Sequence, residues 1–410
     1  MRRFKLTLLS FLILLSFVSC TQPATVTTQA QPTVTSVSKV ALPPPCTSFT
    51  TVPTPGPDAP SLFPPITSAD HILGPEDAAV KIMVYGDLQR PESGTFAGVI
   101  NKLLAQYPGE IRYISRIFPF VGRNDKALLA AQAVEAANLQ GKFWELHDLL
   151  YSQQTNWINL PVEDFEQWAA VQASGLGMDV EKFQADLKSE AVVNLVQSNF
   201  EAGQKFGPFA VPLIVINGEI YLGPQDFNSM NDIVGLILLG KRHFTECPPM
   251  MINQTKQYIA TLHTEKGDVV IQLFADKAPY TVNSFLFLAK QGWYDNVTFH
   301  SVIPEVYAQT GDPSGTGKGT PGYYVITEIL PDLTFDKPGM VAMVNSGPDT
   351  SGSQFFITYA ETPQFNGRYT IFGEVLSGMD VLTQLTPRDA KIGEETPPGD
   401  KLISVTIEER

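Results

Sequence analysis

At Glu246-Cys247-Pro248-Pro249 the chain changes its hydrophobic rhythm, and no single layer of structure can span the change. Before this point apolar residues recur at helical spacing in long runs, interrupted by short apolar segments of strand character. After it the runs are short, alternate with period two and are broken by Gly, Pro and Asp. A helical period and a strand period bury different faces, so the two halves need separate cores. A length of 410 residues allows this, at roughly 100–200 residues per domain.

The N-terminus carries a different signal. Arg2, Arg3 and Lys5 precede an apolar run over residues 8–18, too short for a comfortable membrane span. The run ends in Phe17-Val18-Ser19-Cys20, which resembles the lipobox of bacterial lipoproteins. That resemblance implies a signal peptide over residues 1–20, lipid attachment at Cys20 and anchorage on the extracytoplasmic face of the membrane. An ordinary secretory signal that happens to end in cysteine is the alternative. Residues 21–65 are rich in Thr, Pro, Gln, Ser and Val, a composition that buries too little apolar surface to offset chain entropy. They are expected to form a disordered tether.

Composition removes some function classes. A formal charge of -14 argues against nucleic acid as a partner. The five histidines are scattered and no paired Cys/His spacing occurs, so neither a metal nor a cofactor is expected. Besides Cys20 only Cys46 and Cys247 remain. In an oxidising compartment their bridge would clip the tether to the domain junction, closing a loop of about 200 residues. Two unpaired or intermolecular thiols are the other possibility.

Residues 66–245 read as alternating β and α. Residues 80–88 and 111–118 have strand character and flank a helical segment over residues 95–105, a βαβ unit. Helical spacing then fills residues 126–139, 142–153, 162–175, 180–187 and 191–206, before a strand at residues 211–216 and a last helix at residues 227–239. With Tyr85-Gly86-Asp87-Leu88-Gln89, Gly141-Lys142-Phe143-Trp144-Glu145-Leu146 and Val211-Pro212, this order resembles the thioredoxin-like fold with a helical insertion of bacterial disulfide oxidoreductases. The resemblance implies a cis-proline at Pro212. It also places Arg90-Pro91-Glu92-Ser93 where that family has Cys-Pro-x-Cys. Arginine and serine supply no thiolate, and no cysteine lies between residues 47 and 246, so this domain is expected to be redox-inactive. It would serve as a scaffold or as a peptide-binding module.

After a linker over residues 246–257, residues 258–410 are expected to form a β-rich barrel with two helices, the first opening at Pro279. Phe299-His300-Ser301-Val302-Ile303-Pro304 and Asn345-Ser346-Gly347-Pro348-Asp349-Thr350-Ser351-Gly352-Ser353-Gln354-Phe355-Phe356 resemble the two signature segments of cyclophilins, the barrel-shaped peptidyl-prolyl cis-trans isomerases. The chain as a whole is thus read as multidomain: an α/β thioredoxin-like domain with a helical insertion, then an all-β cyclophilin-like barrel.

The cyclophilin resemblance implies a site and one defect in it. Phe356 matches the aromatic floor of the proline pocket, Phe365 a pocket leucine, and Val306 and Tyr307 the usual Phe and Met. Val344 belongs to the same surface. Gln309 and Gln354 match two site glutamines, Asn345 the residue whose backbone pairs with substrate, and Tyr369 a frequent histidine. Ser301 stands where the family has its catalytic arginine. Residues 315–320, Gly-Thr-Gly-Lys-Gly-Thr, lack the spacer of a phosphate loop and are expected to be a surface loop. Proline-containing polypeptides are the implied partners. The implied function is isomerisation of X–Pro bonds in exported proteins, weakened by Ser301; a non-catalytic prolyl-peptide adaptor is the alternative.

Overall fold

The strand Val80–Gly86 is buried along most of its length and forms the middle of the first domain. Its neighbours in the computed structural model, which describes residues 45–49, 63–205, 210–388 and 398–410, make a five-stranded sheet. The spatial order is His71–Leu73, Ile111–Ile117, Val80–Gly86, Leu213–Ile216, Glu219–Tyr221. Only the pair Val80–Gly86 and Ile111–Ile117 is parallel, joined by the helix Pro91–Gln106. A parallel pair needs such a crossover, and Pro91 at the first turn presets its backbone angle. The Val211–Pro212 peptide bond is cis.

The helical insertion holds a core of its own. Helices Ala127–Asn138, Phe143–Ser152, Val162–Gly175 and Val180–Leu187 enclose Val134, Leu146, Leu150, Trp157, Phe165 and Phe183. Ala130, Ala133, Ala136 and Ala137 on the first of these helices are buried, and their small side chains let neighbouring helices approach closely. Asp179 and Ser189 accept from the backbone N–H of Lys182 and Val192, satisfying orphan donors at two helix starts.

In the second domain nine antiparallel strands form one sheet. Its order begins Ser301–Ile303, Tyr307–Thr310, Phe355–Thr358, Met340–Met343, Ile371–Ser377. It continues through Gly267–Leu273, Tyr258–Thr264 and Lys401–Glu409 to Val297–Thr298. The two end members, Val297–Thr298 and Ser301–Ile303, are separated in sequence by Phe299 and His300 alone, so the ladder curls back on itself. Its interior is filled by Leu262, Ile271, Phe285, Tyr294, Phe299, Phe355, Ile357 and Phe372. The helix Pro279–Lys290 has no side-chain cap at its start; the half-buried Glu328 carboxylate instead accepts from the N–H groups of Tyr280 and Thr281.

One expectation needs correcting. The tether is not unstructured throughout: Cys46–Ser48 is a strand, paired antiparallel with Tyr323–Val325 of the second domain. The Phe49 ring lies 4.8 Å from that of Tyr324, and Ile326 N–H donates to the carbonyl of Pro45. Phe63 is buried in the first domain, where the Arg116 guanidinium donates to the carbonyls of Pro64 and Pro65. Composition predicts whether a segment can fold alone; here an edge strand of another domain supplies the missing hydrogen bonds. The rest of residues 21–65, like Cys20, lies outside the described residues.

Cys46 and Cys247 are joined by a disulfide, with Cα atoms 6.0 Å apart across 201 positions of sequence. Closing so long a loop removes entropy from the unfolded chain, worth about 2–5 kcal/mol. Replacing both cysteines by serine is therefore expected to lower the melting temperature, and dithiothreitol to lower it in the parent but not in the double variant. Equal melting of parent and variant under oxidising conditions would show that the bridge contributes nothing.

Candidate functional site

Strand alternation decides which residues can form a site. Ser301 pairs with Gln309, Gln309 with Phe356, and Phe356 with Ala342, so these four form a cross-strand row on one face of the sheet. Their neighbours Val302, Ala308, Phe355, Val341 and Met343 point the other way, into the barrel core. Phe355 and Phe356 are thus adjacent in sequence and opposite in role.

Phe356 sits in a second, smaller apolar cluster with Phe274, Phe335, Met340, Ala342 and Ile371. Its ring lies 5.9 Å from Phe335, stacked, and 5.6 Å and 5.2 Å from Phe365 and Tyr369, both edge-on. Tyr307 stands 5.8 Å away. Edge-on and offset geometries suit aromatic quadrupoles, so these contacts hold the ring orientation. Phe356 is 4% exposed, a floor, while Tyr307, Val344, Phe365 and Tyr369 are half-buried around it. Val306 is half-buried but not part of this cluster; it lies in the turn before Tyr307, its N–H on the carbonyl of Ile303.

Beside the ring cluster runs a polar relay whose polarity follows from one atom. The Gly319 carbonyl can only accept, and it accepts from Gln354 Nε2 at 2.9 Å. That leaves Gln354 Oε1 to accept from Gln309 Nε2 at 3.0 Å. The same Gln309 nitrogen lies 3.1 Å from His300 Nε2, which accepts from it in the tautomer protonated at Nδ1. The Gln309 carbonyl oxygen is left as the group with no role inside the relay.

Ser301 contributes a hydroxyl where the resemblance implies a guanidinium. Its Oγ is 3.5 Å from the Tyr307 hydroxyl, at the outer limit of a hydrogen bond. Asn345 donates from Nδ2 to the carbonyl of Arg368 and accepts at Oδ1 from Gly347 N–H, fixing the loop after Met340–Met343. The Arg368 guanidinium lies over the Tyr369 ring at 5.8 Å. In the first domain, Arg90 pairs with Glu92 at 3.2 Å and faces the Phe120 ring. Ser93 is buried, its Oγ accepting from Asp87 N–H.

Three parts of this site were not singled out from sequence. His300 reads as one of five scattered histidines, and only the register of Ser301–Ile303 against Tyr307–Thr310 brings it to Gln309. Phe335 carries no motif. Residues 315–320 are not a simple surface loop: Gly319 is buried and donates to the Asp312 carboxylate, a correction that follows from the loop folding around Asp312.

A protein-family model described as cyclophilin type peptidyl-prolyl cis-trans isomerase/CLD matches residues 259–407, and a thioredoxin family model matches residues 67–235. Among curated proteins, peptidyl-prolyl cis-trans isomerase A of Mycobacterium tuberculosis is 44% identical over 166 residues, covering 36% of this chain and 91% of its own. A peptidyl-prolyl cis-trans isomerase of Arabidopsis thaliana is 45% identical over 147 residues, covering 35% and 88%. A Cryptosporidium parvum cyclophilin type peptidyl-prolyl cis-trans isomerase, solved in the presence of the dipeptide Ala-Pro, is 35% identical. It covers 37% of this chain and 98% of that one, with a TM-score of 0.35.

The relay has a pH signature. Burial holds the His300 imidazole below its ordinary pKa, opposed by the charge of Asp312 and reinforced by that of Arg388. The unfolded chain takes up a proton near pH 6.5, before the folded protein does, and stability falls as pH drops wherever the unfolded state binds more protons. The contribution is thus complete above about pH 7 and is lost as pH drops through 6.5 toward the lowered folded value. His147, buried and shifted the same way by burial, adds a loss of equal sign. Thermal melts from pH 7.5 to 5 are expected to fall less steeply for His300→Gln than for the parent; identical slopes would remove His300 from the account.

Proposed function

Because this chain belongs, through residues 259–407, to the cyclophilin type peptidyl-prolyl cis-trans isomerases, we propose that it turns over X–Pro bonds of exported polypeptides slowly, from a lipid anchor at Cys20. The observation that carries this reading is the row Ser301–Gln309–Phe356, with its aromatic floor outside the barrel core. The X–Pro bond resists rotation by roughly 18–20 kcal/mol through amide resonance. A surface that lowers this barrier needs no covalent step. It seats the pyrrolidine on the Phe356 ring, holds the flanking chain along Asn345, and offers hydrogen bonds that strengthen as the amide twists.

Ser301 sets the rate in this proposal. A charge-assisted hydrogen bond is worth roughly 1.5–3 kcal/mol, and losing one made only in the twisted state slows the reaction roughly 10- to 200-fold. A hydroxyl held 3.5 Å from Tyr307 is a poor substitute for a guanidinium aimed at the prolyl nitrogen. Ground-state binding rests on the rings and the backbone and is spared. The same serine favours the second reading, an adaptor that binds prolyl segments without turnover. The first domain, without thiols at Arg90 and Ser93, serves in either case as a redox-inactive body.

A protease-coupled or exchange-NMR assay on a proline tetrapeptide is expected to show slow turnover, raised 10- to 200-fold in kcat/KM by Ser301→Arg. Peptide binding with no turnover in either form would establish the adaptor. For the anchor, Cys20→Ser is expected to move the protein from the membrane fraction to the soluble exported fraction. Unchanged membrane association would remove the lipid.

A further inference from the structure

The relay through Gln354 ends on the Gly319 carbonyl, so whatever holds that carbonyl holds the site. Residues 311–322, which carry it, are braced on two sides. From within, the Asp312 carboxylate accepts from Ser314 N–H at 2.8 Å, Ser314 Oγ at 2.7 Å and Gly319 N–H at 2.9 Å. From without, the brace is the last helix of the thioredoxin-like domain, Phe227–Leu239, and the turn after it.

Leu239 ends that helix yet is only 5% exposed and is part of the barrel's core rather than that of its own domain. A methyl group placed on Gly319 would lie 2.7 Å from Leu239 Cδ2 and would run into the Asp312 carboxylate, so Gly319 is enclosed between the two. One turn earlier, Gly235 faces Ser314. The turn Gly240–Arg242 secures the segment's start: Arg242 donates to the Gly292 carbonyl and lies over Trp293, whose Nε1 donates to the Gly311 carbonyl. Phe244 N–H donates to the Pro321 carbonyl and secures its end.

We propose that Leu239 is a positioning residue of the isomerase site, and that the last helix of the thioredoxin-like domain is a structural part of that site. Leu239 presses Gly319 against Asp312, which sets the Gly319 carbonyl, which orients Gln354 and through it Gln309. The inference rests on the isomerase reading for its kinetic consequence and on geometry alone for its structural one. A displacement of about 1 Å in a site group costs up to 100-fold in rate, and a leucine truncated to alanine leaves room for a shift of that order.

The test uses the full chain with two readouts: kcat and KM on a proline tetrapeptide, and the side-chain amide NMR signals of Gln309 and Gln354. Leu239→Ala is expected to lower kcat about tenfold with little change in KM, and to move both amide signals. Leu239→Met, which keeps the volume, is expected to restore both. Leu150→Ala, cut into the core of the helical insertion, is expected to lower the melting temperature without touching kcat or the amides. If Leu239→Ala melts early but leaves kcat and the amide signals as in the parent, Leu239 is merely structural and the inference fails. If the parent itself neither binds nor turns over the peptide, the isomerase reading fails instead, and the amide signals still decide the brace.

Discussion

A carbonyl oxygen has no proton to give, and that asymmetry at Gly319 organises the site. Side-chain amides can present either end, and an imidazole either tautomer, so a chain of them has two self-consistent polarities. Terminating the chain on a backbone acceptor removes one of the two. Burial then raises the cost of a mismatch, because two donors facing each other in a low-dielectric setting leave both unsatisfied. Burial lowers the His300 pKa, and a proton on Nε2 would in addition oppose the Gln309 amide. The orientation of Gln309 is therefore inherited from the backbone two side chains away.

The apolar half of the site depends on a simpler rule. In a strand, adjacent side chains face opposite sides, so Phe355 and Phe356 divide between barrel core and outer face without any change of residue type. Ala342, beside Phe356 in the row, is small enough to leave the neighbouring space to the rings of Phe335, Phe365 and Tyr369. Four rings around one floor restrict rotamers that isolated aromatics would sample. A site built this way resists reshaping by single substitutions at the rim, and Tyr307 shapes its border more than its floor.

Much of this was legible before any coordinates. The helices of the insertion fall within a residue or two of their periodic runs, because amphipathic spacing is a local property and each helix buries its own stripe. Phe356 and the two glutamines are legible through motif. What escaped is non-local. The strand Cys46–Ser48 pairs with residues more than 270 positions away, and nothing in its Thr- and Pro-rich surroundings announces an acceptor. His300 gains its role from a register, and Gly319 from the polarity of a bond it only receives. Phe335 is ordinary in sequence and gains its place by stacking against Phe356.

The proposal that the first domain is a redox-inactive body has a physical counterpart at Ser93. A fold retained for sulfur chemistry has no use without sulfur, but a fold retained as a rigid body must keep its interior satisfied. Around Ser93 it does: the serine is buried with its Oγ bonded to Asp87 N–H, and the Asp87 carboxylate accepts from Gln89 N–H, Phe120 N–H and Asn124. The C-terminal end of this body is tied to the barrel through Leu239, Arg242 and Phe244, and the strand Cys46–Ser48 that precedes it is tied there through its pairing and the Cys46–Cys247 bridge. What it can transmit to the barrel is position, and residues 311–322 are where that position meets the glutamine relay.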